Sequence, residues 1–250
     1  MIVLALRLIV CYVLIVPILN EIDEIVKLRY LDTSYFTLLE TLLPMVFIIP
    51  FFEELIFRHF LRYSGLKTKL ISLKRWTKIF PILVYSSSIC FGFIHLTNYS
   101  NSSTLFFIFA PIIVLSQLIG GITLAFVRVR LDFLWGVLFH CAWNFLVFAI
   151  PVVENSFIEP YTEKTSQYTI TIEDQLFFDP QKQYVKIDSA GGKIQSVSVA
   201  HYTIQNVLDT LYQKDKYRVD DLLINLNFES KDGVTKEAFL KILQKDFEIE

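Results

Sequence analysis

Residues 36–62 read FTLLETLLPMVFIIPFFEELIFRHFLR, and between Leu42 and Phe57 the stretch is apolar except for Glu53 and Glu54. A carboxylate carried into hydrocarbon is costly, so an acid inside an apolar span marks a functional site. Arg58 follows Glu54 by four residues, which puts the two on one helical face. Glu53 and Glu54 point about 100° apart on a helix, so they cannot share one target. The spacing therefore predicts a structural ion pair between Glu54 and Arg58. It leaves Glu53 to face a cavity and find partners on other segments.

Those segments lie on either side. Hydrophobic residues make up 54% of the 250, and the mean hydropathy is +0.49. A soluble domain could hardly cover that much apolar surface, which makes a helical membrane protein the expected class. Five spans are predicted, at about 2–19, 36–60, 79–97, 104–127 and 132–151. Each is close to the roughly 20 apolar residues that cross a bilayer as a helix. The first is short, and Arg7 interrupts it. No small-residue cleavage site follows it, so a retained span is expected in preference to a signal peptide. Ser86, Ser87, Ser88, Gly120 and Gly121 are small residues that let helices approach closely.

Basic residues set the expected orientation. Lys67, Lys69, Lys74, Arg75 and Lys78 follow the second span, and Arg128 and Arg130 follow the fourth. The positive-inside rule places these turns in the cytoplasm and the carboxyl-terminal tail outside, as for a bacterial inner-membrane protein. The net charge of −2 hides a division near Pro151. Residues 1–151 carry 12 basic and 8 acidic side chains, whereas 152–250 carry 11 and 17. The domain reading is thus a transmembrane domain over 1–151, a linker at 152–165 and a small acidic α+β domain of open role over 166–250. In that tail SQYTITI and KIQSVSV alternate as strands do, and Gly191-Gly192 reads as a hairpin turn. Thr203 is expected to cap a helix over 204–214, DLLINLNF to form a strand and Thr235 to cap a last helix reaching Lys245. His201 reads as a surface residue at the start of the first of these helices. The cysteines at 11, 90 and 141 all fall in apolar segments and form no disulfide framework or CxxC metal motif.

Two further apolar segments carry polar clusters. Phe91-Gly92-Phe93-Ile94-His95 lies in the third, and His140-Cys141-Ala142-Trp143-Asn144 in the fifth. Four-residue spacing stacks Phe91 with His95 and His140 with Asn144. A lone histidine in a span commonly serves packing, and an asparagine can simply join helices. The order of all three clusters carries the functional reading.

EExxxR, then FxxxH, then HxxxN, each on its own apolar helix, resembles the CPBP family of intramembrane proteases. That family includes the CAAX prenyl endopeptidases and bacterial members tied to bacteriocin processing or self-immunity. LIGGITLAFVRVRLDFLWGVLFHCAWN is also similar to the family's glycine-rich helix, basic turn and histidine helix, and the resemblance spans roughly 36–151. It implies that Glu53 and His95 activate a water molecule against a peptide carbonyl. It implies further that His140 and Asn144 stabilise the oxyanion, or that Glu53, His95 and His140 hold a divalent metal such as zinc with an open water position. The zinc-protease motif HExxH is absent. His59 stands where family members often have Gly, so it would crowd the helix packing or add an imidazole near the site.

The expected partners are a peptide or protein substrate at the membrane and the bilayer itself, with no nucleic acid. Two other readings stay open: an inactive scaffold or self-immunity protein, and a transporter using Glu53 and the histidines as a proton relay. Simple straight spans also leave Glu53 and His95 roughly 10–15 Å apart in depth. Tilted helices around a wet cavity could close that gap.

Overall fold

A computed structural model describes residues 2–30, 35–214, 216–219 and 222–249. Among them, four helical segments are long and apolar enough to cross a membrane. They are α1 (Ile2–Val26), α5 (Leu73–Ile94) with a 3₁₀ extension over His95–Asn98, the pair α6 (Thr104–Ile113) and α7 (Leu115–Arg130), and α8 (Phe133–Asn155).

The sequence predicts five spans; the segment at 36–60 is the one that departs. It forms a continuous helical run of three pieces: α2 (Leu38–Leu42), a π-helical stretch (Leu43–Ile48) and α3 (Ile49–Phe57). The prolines explain the division. Pro44 and Pro50 open the second and third pieces, and a proline lacks the N–H that an α-helix needs. The ladder widens there, with the Ile49 N–H donating five residues back to Pro44. None of the three pieces, of 5, 6 and 9 residues, is by itself long enough to span. A 3₁₀ turn (His59–Leu61) and a short α4 (Leu66–Leu70) lead on to α5.

Serine caps start two of the long helices. Ser72 accepts from Arg75 N–H before α5, and Ser103 accepts from Phe106 N–H before α6. Pro111 lies inside α6, and the chain bends at Val114 before α7. Of the small residues singled out above, Gly121 has the clearest use. A side chain there would meet Ser88 Cα at 3.2 Å and Phe91 at 3.1 Å, so its absence lets α7 close on α5. Gly120 has open space around it. Most remaining apolar side chains on these helices are exposed, as lipid-facing residues are.

The chain divides into two compact units. One comprises α1 and Leu42–Phe148; the other comprises Ala149–Glu250 and the residues just before Leu42. The stretch 152–165, expected as a linker, carries structure: α8 runs to Asn155, and β1 occupies Tyr161–Lys164. The sheet continues with β2 (Tyr168–Asp174), β3 (Tyr184–Ala190), β4 (Lys193–Thr203) and β5 (Leu223–Val234), antiparallel in the order β1-β2-β5-β4-β3. Gly191 and Gly192, both at positive φ, turn β3 into β4. Thr203 caps α9 (Ile204–Leu211), and Thr235 caps α10 (Lys236–Leu243). The first helix ends three residues before the expected boundary. Ile170, Val197, Leu226 and Phe228 from the sheet join Leu208 and Phe239 from the helices in one core.

His201 corrects its sequence reading. It lies within β4, where the pairing with β5 shifts between Val199 and Tyr202, and it is buried with φ 48°. Its Nδ1 donates to the Phe177 carbonyl at 3.2 Å. A bulge turns one strand residue out of step, which alternation in the sequence cannot announce.

Candidate active site

The polar clusters of three separate helices meet in the membrane unit. Glu53 and Glu54 come from α3, His140 from α8 and His95 from the end of α5. Glu53 Oε1 lies 3.9 Å from His95 Nε2, and Glu53 Oε2 lies 3.5 Å from His140 Nε2. The depth gap anticipated from straight spans is closed by the offset of α3 against α5. Ser87, well over halfway along α5, donates its hydroxyl to the carbonyl of Phe57, the last residue of α3. From that contact Glu53 lies four residues back along α3 and His95 eight residues on from Ser87, and their side chains meet across what remains.

Glu54 and Arg58 form the expected pair, 3.2 Å apart and both fully buried. The guanidinium also lies over the face of Phe91, with Cζ 3.6 Å from the ring centre. Phe91 therefore serves as more than a spacer before His95. It carries Arg58 on its face and meets the rings of His95 and His140 at 4.8 and 5.7 Å.

Glu54 has a second partner that the sequence reading missed. Its Oε1 lies 3.1 Å from His140 Nδ1. A carboxylate accepts only, so Nδ1 carries a hydrogen and Nε2 points toward Glu53. The same logic fixes one nitrogen of His95: its Nδ1 lies 2.8 Å from the Phe91 carbonyl, so Nδ1–H donates and Nε2 is left facing Glu53. One signal for the Glu54 contact was present in the sequence. Gly136 precedes His140 by one helical turn, and a side chain there would come within 3.2 Å of Glu54 Oε2.

Burial grades the cluster from inside to outside. The side chains of Glu54 and Arg58 are sealed, and His140 is 4% exposed. Glu53 and His95 are 17% and 20% exposed, so the cluster opens at these two.

Asn144 does not join the cluster. Its Nδ2 donates to the Met45 carbonyl at 2.9 Å, within the π-helical stretch. His59 does not join it either; its ring meets Phe133 edge-on at 5.5 Å. Among the described residues, no group of three or more His, Cys, Asp or Glu side chains could hold a metal ion.

Residues 35–146 match the family described as type II CAAX prenyl endopeptidase Rce1-like. The match takes in every member of the cluster, from Glu53 to His140, and Asn144 beside it, and bears out the resemblance to the CPBP proteases. No similar curated protein and no similar solved structure was found. With four apolar helices, the Rce1-like domain marks an integral membrane protein.

Proposed function

With an Rce1-like domain over residues 35–146 as the premise, we propose that this chain is an intramembrane CAAX-type endopeptidase with Glu53 as its general base. The observation that carries this reading is the position of Glu53 between two imidazoles, in reach of both and partly exposed. A water molecule held by Glu53 and His95 Nε2 gives a proton to Glu53 while its oxygen bonds to the substrate carbonyl carbon. The oxyanion that forms accepts from His140 Nε2–H, and Glu54 against Nδ1 compensates the charge of that doubly protonated ring. Collapse breaks the C–N bond, and Glu53 returns the proton to the leaving amine.

In this reading Asn144 positions α8 by its bond to Met45 and leaves oxyanion stabilisation to His140. The substrate is a peptide segment at the membrane. The basic turns lie in a bacterial cytoplasm, the domain after Pro151 lies outside, and its partner is a separate question. The same geometry could relay protons. The cluster is exposed at its Glu53 and His95 end and closed at its inner end by the Glu54–Arg58 pair; a relay needs two open ends, which favours hydrolysis.

Glu53→Gln keeps the shape of the side chain but removes the base. Purified variant and wild type would be assayed against prenylated and unprenylated peptide libraries, with melting followed in parallel. The expected result is turnover lowered at least about 100-fold, the scale of general-base catalysis, with melting unchanged. Full activity in Glu53→Gln would reject Glu53 as the base, and no peptidase activity in the wild type would leave the scaffold reading.

A further inference from the structure

We propose that Arg62, Lys67 and Arg128 form a binding site for a phosphate group at the membrane boundary. The three come together where the turn after α3 meets the turn after α7. Arg128 Nη2 donates to the His59 carbonyl at 3.1 Å, and Arg62 Nη1 donates to the Leu131 carbonyl at 2.8 Å. Each turn thus sends an arginine to a carbonyl of the other. Lys67 closes the group by donating Nζ to the Arg62 carbonyl at 3.0 Å.

These bonds fix the cations but use little of them. A guanidinium has five N–H donors and an ammonium three, and one from each is engaged. Among the described residues, none of the three forms an ion pair with a carboxylate. Asp132 accepts from Trp135 N–H at 3.1 Å, and with Glu54 it lies within electrostatic range of Arg128 without forming an ion pair with it. Arg128 is buried, and its Nε has no hydrogen-bond partner. Arg62 and Arg128 lie within electrostatic range of each other. Burial, and then Arg128, hold the Lys67 ammonium below its ordinary value. Three like charges held together in this way call for an anion.

A phosphate fits the donors. Its oxygens accept several N–H groups at once, and the planar arginine fork suits them. The place fits as well, because the long helix ending at Arg130 is a candidate span and the turn beyond it lies at a membrane edge, the level of phospholipid phosphates. A phospholipid headgroup and a soluble phosphate share this chemistry.

The full-length protein in neutral maltoside micelles would be titrated with phosphatidylglycerol and, separately, with inorganic phosphate, while melting is followed. The wild type should show a saturable rise in melting temperature. In the Arg62→Gln, Lys67→Gln double variant the apparent affinity should fall about fivefold for each cation removed, about thirtyfold in all. Lys69→Gln with Lys74→Gln, which removes two exposed charges of the same loop, should stay within about twofold of wild type. A response to phosphatidylglycerol alone identifies a lipid headgroup, and a response to inorganic phosphate as well identifies soluble phosphates. Should the double variant fold poorly, Arg62→Gln alone, at an exposed position, is read by native mass spectrometry for retained lipid, with a clear loss expected. The proposal is overturned if neither ligand raises the wild-type melting temperature, if the control variant loses as much as the double variant, or if Arg62→Gln retains lipid like wild type.

Discussion

Glu54 reaches across 86 positions of sequence to His140, with Oε1 3.1 Å from Nδ1. The same oxygen lies 3.2 Å from Arg58. One buried carboxylate thus serves both the ion pair that stabilises α3 and the histidine that faces Glu53. Glu54 is a positioning residue, and its loss should be felt in stability and in chemistry together.

Glu54→Gln should therefore differ from Glu53→Gln in kind. Removing one partner of a buried pair strands the other charge, at a cost of about 3–5 kcal/mol. Melting temperature and yield should fall, and the folded fraction should retain reduced activity. Arg58→Lys should recover part of the stability lost in Arg58→Ala, because it keeps the charge but gives up the planar contact with Phe91. If Glu54→Gln melts like wild type and is inactive, the catalytic carboxylate is Glu54.

Gly136→Ala tests the closeness of α8 to Glu54. The added carbon would sit 3.2 Å from Oε2, and Glu54 cannot easily give way while Arg58 and His140 hold its other oxygen. Crowding of a packed site costs about 1–3 kcal/mol. Gly136→Ala should lower both melting temperature and turnover, whereas Gly120→Ala, which meets open space, should change neither. Equal behaviour of the two variants would show that α8 has room to move.

Asn144→Ala separates positioning from oxyanion stabilisation. Loss of the bond to Met45 should cost about 1 kcal/mol of stability, with a modest fall in turnover. Lost oxyanion donors cost about 100- to 1,000-fold in rate. A loss of that size at unchanged melting temperature would return Asn144 to the catalytic group.

The proposed topology is checked by a reporter fused after Glu250, which should be active outside the cytoplasm. A cysteine introduced at Lys69 should be protected from impermeant reagents added outside. An accessible cysteine at position 69 together with an inactive reporter would reverse the orientation. It would also place the acidic tail on the inner side.

Local chemistry was enough to read off the helices and the inventory of the site. Apolar runs near bilayer length can only be helices in lipid, because no water is there to satisfy the backbone. Four-residue spacing was enough to pair Glu54 with Arg58, since both partners lie on one helix and need no tertiary information. The capping threonines and the glycine pair of the tail were legible for the same reason: their chemistry is local.

Tertiary structure decided whatever depends on two elements at once. Pro44 and Pro50 are visible in the sequence, but the neighbouring helices settle whether such prolines kink, break or widen a helix. The offset of α3 against α5 brings Glu53 within reach of His95, and only packing sets an offset. Asn144 has the same spacing from His140 on paper as in the fold, yet its amide turns to Met45 because α8 runs beside the π-helical stretch. Glu54 was assigned to Arg58 alone because a local reading counts one partner. A single carboxylate oxygen has more than one lone pair, and the fold supplied His140 to share Oε1 with Arg58.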